Sequence, residues 1–443
     1  MDKFYDRKNE ITLLMGNGDG TPQQAARFTL LTGRRRIGKT SVLLELMQRQ
    51  QKKSAKVLYL FVSRQSEPLL CAEFQAEAVD NLGMPIFGTV NSFGVFFTQL
   101  MIFSQTEEFT LIIDEFQEFF AVNPAIFGEI QNAWDRYKTG SKINFIACGS
   151  VYSLLMNIFE DQKEPLFGRL TSKIVLKPFT PDVIKEILSD YNSKYTAEDL
   201  LCLYMLTGGI PKYIALLMDA GAVTKKKMLK YVTRMDSLFL SEGKELLVSE
   251  FGKDYGTYFS ILQLIAAGKT TQSAIDSIIG KNTGAYLVNL EKRYSLINRN
   301  KPLFSKPESR NSRWHITDNY LRFYFRFIFP NQALIELGKT ERLLEIIEGL
   351  YETFSGFVLE DYFRCKIASE KNITCIGKWW DKKGENEIDM ITLDDIMRTA
   401  SIFEVKRNAK KINLSTLALK AERLKTELME YSISFNGLSM ADM

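Results

Sequence analysis

Histidine is nearly absent from this sequence: among 443 residues there is one, His315. A histidine-rich zinc site is therefore excluded, and histidine-assisted nucleophilic catalysis has a single candidate. In Trp314-His315-Ile316 that residue reads as structural. Cysteine is scarce as well, and Cys71, Cys148, Cys202, Cys365 and Cys375 form no C-x-x-C pair. A zinc ribbon or thioredoxin motif is not expected. Several of these thiols sit in apolar runs, as buried free thiols do, and reduced thiols point to the cytoplasm. No apolar stretch approaches the ~18 residues of a membrane span. Even the aromatic run from Leu321 to Pro330 is broken by Arg322 and Arg326. The opening Met1-Asp2-Lys3-Phe4-Tyr5-Asp6 lacks the apolar core of a signal peptide. A large charge excess is also missing: 57 Lys and Arg against 53 Asp and Glu leave +4. That excludes a histone-like polycation but not a local basic face. Hydrolysis here is expected to rest on carboxylates, lysines, arginines and metal-bound water.

What is present is the composition of a folded globular protein, long enough for about three domains at roughly 150 residues each. Residues 28–32 (Phe-Thr-Leu-Leu-Thr) read as a short buried strand. Gly33-Arg34-Arg35-Arg36-Ile37-Gly38-Lys39-Thr40-Ser41 follows, and then a helical pattern through Val42, Leu43, Leu44 and Met47. This is G-x4-G-K-[ST] between a strand and a helix. Its glycines let the loop wrap a phosphate closely, and the N–H groups at the helix start point at the anion. Lys39 is expected to neutralise the β- and γ-phosphates of ATP, and Thr40 to ligate Mg2+. Thr110-Leu111-Ile112-Ile113-Asp114-Glu115 is a buried strand ending in two acids. Asp114 suits the Mg2+ water shell, and Glu115 is placed to polarise the attacking water. Three more segments read as buried parallel strands: Val57–Val62, Asn144–Cys148 and Lys173–Leu176. Ser150, after the fourth strand in chain order, could sense the γ-phosphate. Arg169, in Pro165-Leu166-Phe167-Gly168-Arg169, could be an arginine finger, in cis or across an oligomer interface.

Together GRRRIGKTS, LIIDEFQ, the CGS of residues 148–150, PLFGR and Thr207-Gly208-Gly209-Ile210-Pro211-Lys212-Tyr213 resemble the archaeal-ATPase-type family, a prokaryotic branch of the AAA/STAND P-loop ATPases. Phe4-Tyr5-Asp6-Arg7-Lys8-Asn9-Glu10 is similar to that family's opening F-x-x-R-x-x-E segment. The resemblance implies a five-stranded ATPase core of the ASCE type and a small helical lid around residues 180–235.

Residues 254–300 read as three helices and a hairpin, similar to a winged helix-turn-helix whose third helix would be the reader. From Lys281 to Trp314 there are eight Lys or Arg and two Glu, so this stretch holds +6. That is a plausible phosphate-backbone footprint for DNA. Near the end, a helix carries Glu360, and three strands carry Asp389 and Glu404-Val405-Lys406. An acid followed fifteen positions later by E-x-K looks like the PD-(D/E)xK core of restriction endonucleases. Glu404 and Lys406 share a strand face because side chains alternate. Asp389 and Glu404 would chelate Mg2+ or Mn2+, with Glu360 auxiliary, and Lys406 would position the hydroxide or phosphate.

The expected fold class is thus α/β: an AAA-type P-loop parallel sheet with a helical lid, then a winged helix-turn-helix, then an α/β restriction-endonuclease-like domain. The expected boundaries are 1–178, 179–250, 251–315 and 316–443. The leading functional expectation is an Mg2+-dependent ATPase coupled to DNA binding and metal-dependent cleavage, with a homo-oligomer or protein partner left open and no membrane. The alternatives are a nucleotide-controlled signalling switch and a DNA-loading ATPase with an inert nuclease-like tail.

Overall fold

The computed structural model of the chain describes residues 3–16, 25–85, 88–150, 152–252 and 255–443. Residues 1–2 of the opening segment and residue 254 of the three-helix segment lie outside that set. The molecule divides into two compact units: 6–177, and 178–443 with the described residues before Asp6.

In the first unit five strands run β1 (Arg27–Thr32), β2 (Lys56–Phe61), β3 (Phe109–Asp114), β4 (Ile143–Cys148) and β5 (Ser172–Val175). Their spatial order is β2-β3-β4-β1-β5, and every neighbouring pair is parallel. The central strands β3 and β4 are buried at every residue, so both faces need apolar side chains. One face sets Phe28 on Phe145 at 4.2 Å and beside Trp134 at 5.3 Å. Helices Glu67–Leu82, Phe93–Phe103 and Ile126–Tyr137 contribute to the same core. Because the strands are parallel, all their carboxyl ends lie at one edge of the sheet. The expected strand segments lie within one residue of these limits at both ends.

The second unit starts with five helices between Pro181 and Phe251. A capping box of Thr196 and Asp199 starts the second of them. Next come helices Tyr255–Ala266, Gln272–Ile279 and Gly284–Val288, the last continuing as a π-turn to Arg293. A hairpin of β6 (Ile297–Asn300) and β7 (Arg313–Ile316) follows. After a long helix, Thr340–Ile367, the chain forms β8 (Cys375–Trp380), β9 (Glu387–Asp394), β10 (Thr399–Val405) and β11 (Ser432–Leu438). These pair in the order β11-β10-β9-β8, with β10 and β11 parallel and helix Leu414–Ala421 between them in sequence.

The three segments expected at 179–250, 251–315 and 316–443 thus share one compact unit. Their seams are bonded. Tyr320 is fully buried, packs on Tyr213 at 4.5 Å and donates to the Phe239 carbonyl. The hairpin loop is tied to β8 by Leu303 N–H to the Lys378 carbonyl (2.8 Å) and by Trp380 Nε1 to Asn311 Oδ1 (2.8 Å).

His315, on β7, is half-buried. Burial, joined by the Arg322 charge, pushes its imidazole from 6.5 down to about 3. The folded state therefore excludes a proton that the unfolded chain binds below about pH 6.5. This contribution is complete above that pH and is lost as pH falls toward 3, at up to ~1.4 kcal/mol per pH unit. His315→Gln should flatten the stability–pH slope by about one proton in that window, read by urea unfolding at a series of pH values.

Candidate functional site

The carboxyl edge of the first sheet collects the sequence-predicted ATP-site residues. β1 ends at Thr32, the loop runs through Gly33 to Gly38, and helix Lys39–Lys52 begins at once. Gly33 has φ 153°, and a Cβ there would lie 2.9 Å from the Leu176 carbonyl, so only glycine fits. Gly38 is left-handed at φ 88° and caps the helix. Lys39 is 7 % exposed. Its Nζ donates to the carbonyls of Gly33 (2.9 Å) and Arg34 (3.1 Å). Burial pulls its pKa down, opposed by Cys148, Glu115 and Asp114. A buried ammonium held, among the described residues, by backbone carbonyls fits an incoming polyphosphate.

Asp114 closes β3 and is 5 % exposed. It accepts from Tyr59 Oη (2.9 Å) and from the Glu115 N–H (2.9 Å). Glu115 takes a left-handed φ of 54°, which turns its side chain away from the strand direction. Its Oε2 accepts from Ser150 Oγ (2.8 Å) and from Gln117 Nε2. Thr40 stands exposed in the first helical turn. Arg7 supports the same edge: it is buried, donates to the Lys177 carbonyl (2.6 Å) and pairs with Glu10 (3.2 Å).

The second unit holds an acid–lysine cluster. The β9–β10 register places Asp389 opposite Glu404, one step beyond the Met390–Phe403 pair. Lys406 Nζ lies 3.2 Å from Asp389 and 3.6 Å from Glu404. Asp389 also accepts from the Val405 N–H (2.9 Å), and Glu404 from the Asn413 N–H (2.7 Å). Glu360 forms an ion pair with Lys378 on β8. Burial pushes its carboxyl up to about 7; Lys378 opposes this and nearby Asp389 adds to it. Within 281–314, Lys281, Lys292, Arg293, Arg299, Lys306 and Arg310 are exposed. Among the described residues of that stretch, Arg313 is the one basic residue ion-paired to a carboxylate, Glu387 at 2.9 Å.

Residues 4–217 match the family model described as an ATPase domain predominantly from Archaea, and residues 324–417 match one of archaeal and bacterial proteins of unknown function. An uncharacterised protein of Methanocaldococcus jannaschii is 30 % identical over 430 residues, covering 92 % of this chain and 90 % of that one. The chain belongs to the archaeal-type ATPase family. A solved Walker-type ATPase of Pyrococcus abyssi shares the fold at TM-score 0.54 and 20 % identity, covering 73 % of this chain and 96 % of that one. No helix among the described residues of this ATPase is long and apolar enough to cross a membrane.

The geometry narrows two expectations. Arg169 precedes β5 at the amino edge of the sheet, where Thr171 N–H bonds the Phe28 carbonyl. From Phe28 to Gly33 the chain rises roughly 16 Å along β1, beyond an arginine's reach, so Arg169 cannot serve this ATPase's own P-loop. It pairs instead with Asp135 at 3.1 Å. Second, no group of three or more Asp, Glu, His or Cys side chains among the described residues is spaced to hold a metal ion. Glu360, Asp389 and Glu404 are neighbours, yet each charge is taken up by a lysine or a backbone N–H, with Lys406 between the latter two.

Gln117 was not foreseen as a site residue, although the motif LIIDEFQ contains it. It is 1 % exposed, and its Oε1 would lie 2.0 Å from a Cβ on Gly149. Gly149 is therefore the space that lets Gln117 hold Glu115. Gly149→Ala should lower kcat for ATP by roughly 10–100-fold through displacement of Gln117 and Glu115, while nucleotide affinity stays within about twofold. Steady-state kinetics beside nucleotide titration separates the two.

Proposed function

We propose that this archaeal-type ATPase hydrolyses ATP with Mg2+ and couples the nucleotide state to DNA binding by its second unit. Lys39 and the loop N–H groups bind the β- and γ-phosphates. Asp114 and Thr40 are the residues that would hold Mg2+, which when bound supplies charge neutralisation at those phosphates. Glu115, fixed by Ser150 and Gln117, orients the attacking water and takes its proton. Ser150 touches both Glu115 and the space beyond β4, so its hydroxyl is suited to report the γ-phosphate. The observation that carries the ATPase reading is the buried Lys39, without a carboxylate in its ion-pair range among the described residues, beside a pinned Glu115. Glu115→Gln should retain ATP yet lose about 10²–10⁴ in kcat. Lys39→Ala should lose nucleotide binding itself; a variant that turned over ATP normally would refute the assignment.

DNA binding is supported by the six exposed, carboxylate-free basic residues between Lys281 and Arg310. Phosphate contacts of this kind release counterions, so affinity falls with salt in proportion to their number. Lys292→Ala with Arg293→Ala should lower the log–log salt slope by roughly 2, measured by fluorescence anisotropy on duplex DNA. An unchanged slope would favour the signalling-switch reading.

The acid–lysine set of the C-terminal sheet is similar to that of a nuclease core, but Lys406 lies between its two carboxylates Asp389 and Glu404. The reading favoured here is a tail that engages DNA without cutting it. Supercoiled DNA with Mg2+ or Mn2+, with and without ATP, should remain intact. Nicking that disappears in Asp389→Ala would overturn this and restore metal-dependent cleavage.

A further inference from the structure

A cavity of about 350 Å3 opens within the second unit, between helix Tyr255–Ala266, the segment after β7, helix Thr340–Ile367 and β8. That volume lies within the range of about 300–1,000 Å3 typical of small-molecule sites. Its charge is lopsided. Arg322, Arg326, Arg364 and Lys378 line it against one carboxylate, Asp361. Asp361 is already shared, by Arg322 at 2.6 Å and Arg364 at 2.5 Å. The two guanidiniums hold that carboxyl well below the usual range despite its burial. Lys378 is engaged by Glu360 from outside the lining. Arg326 has no carboxylate partner among the described residues and rests against the Phe327 ring at 5.9 Å. His315 also faces the cavity, and the cations around it help to keep its ring neutral. The rest of the wall is mostly apolar, with Thr270, Asn300 and Thr353 as its polar members: Phe354 is buried, while Phe357 is 59 % exposed despite its size.

Surplus positive charge in a partly desolvated pocket is unfavourable until an anion compensates it. Guanidiniums offer planar forks suited to phosphate oxygens, and an exposed phenyl offers a stacking face for a flat ring. We propose that this cavity is a binding site for a small organic phosphate of mononucleotide size, its phosphate held by Arg326 and the neighbouring cations and its ring placed against Phe357. This site is separate from the P-loop and stands whether or not the second unit binds DNA.

AMP is the probe. Isothermal calorimetry on the full chain carrying Lys39→Ala keeps the P-loop from competing. Saturable binding of one AMP per chain is expected. Arg326→Ala should weaken it about tenfold, the loss of one charge-assisted hydrogen bond, and Arg326→Lys should restore part of it. Phe357→Ser, at an exposed position that leaves folding intact, should weaken AMP but not inorganic phosphate. Four results would overturn the proposal: no AMP binding, AMP binding unchanged in Arg326→Ala, inorganic phosphate binding as tightly as AMP, or a 5′-phosphorylated oligonucleotide binding where AMP does not.

Discussion

A buried ammonium bound to two backbone carbonyls organises the first unit. Lys39 sits where β1 turns into its helix, and its desolvation is an unfavourable term that two loop carbonyls offset only in part. The loop is shaped around that charge. Gly33 must approach Leu176, Gly38 must be left-handed, and the carboxylates of Asp114 and Glu115 are held off by partners of their own. If either acid collapsed onto Lys39, the site would neutralise itself and its attraction for phosphate would vanish. Tyr59, Ser150 and Gln117 prevent this by giving the acids other donors.

The second unit follows the opposite electrostatic logic. Its carboxylates are closed by lysines: Lys406 lies between Asp389 and Glu404, and Lys378 holds Glu360. Lys378 also lines the cationic cavity, so one ammonium belongs to two neighbouring charge clusters. The basic hairpin region shows a third arrangement: six of its cations are exposed, and the partly buried Arg313 is the one among the described residues fastened to a carboxylate, on β9. Charge of the same sign thus serves to bind, to latch and to pack, and burial with partner identity decides which.

The ATPase core was legible because its signals are local. A buried parallel strand must be apolar on both faces, and a phosphate loop must carry its glycines and lysine within a few residues, so β1, β3 and the loop announce themselves. Asp389, Glu404 and Lys406 were legible for the same reason, since strand alternation forces Glu404 and Lys406 onto one face. Gln117 was not, because its importance depends on the space beside Gly149, thirty-two residues away.

The amino-acid sequence by itself determined the parallel sheet, the phosphate loop, the acid pair after β3 and the basic surplus at 281–314, since each follows from residue type and short spacing. Only the tertiary structure decided that Arg169 lies at the amino edge of the sheet, away from its own chain's phosphate loop, that the segments from 178 onward pack as one compact unit, and that Lys378 and Lys406 lie against the nuclease-like carboxylates. Those facts depend on which distant segments meet. Electrostatic pairing acts through space over a few ångströms, and spacing along the chain carries no record of it.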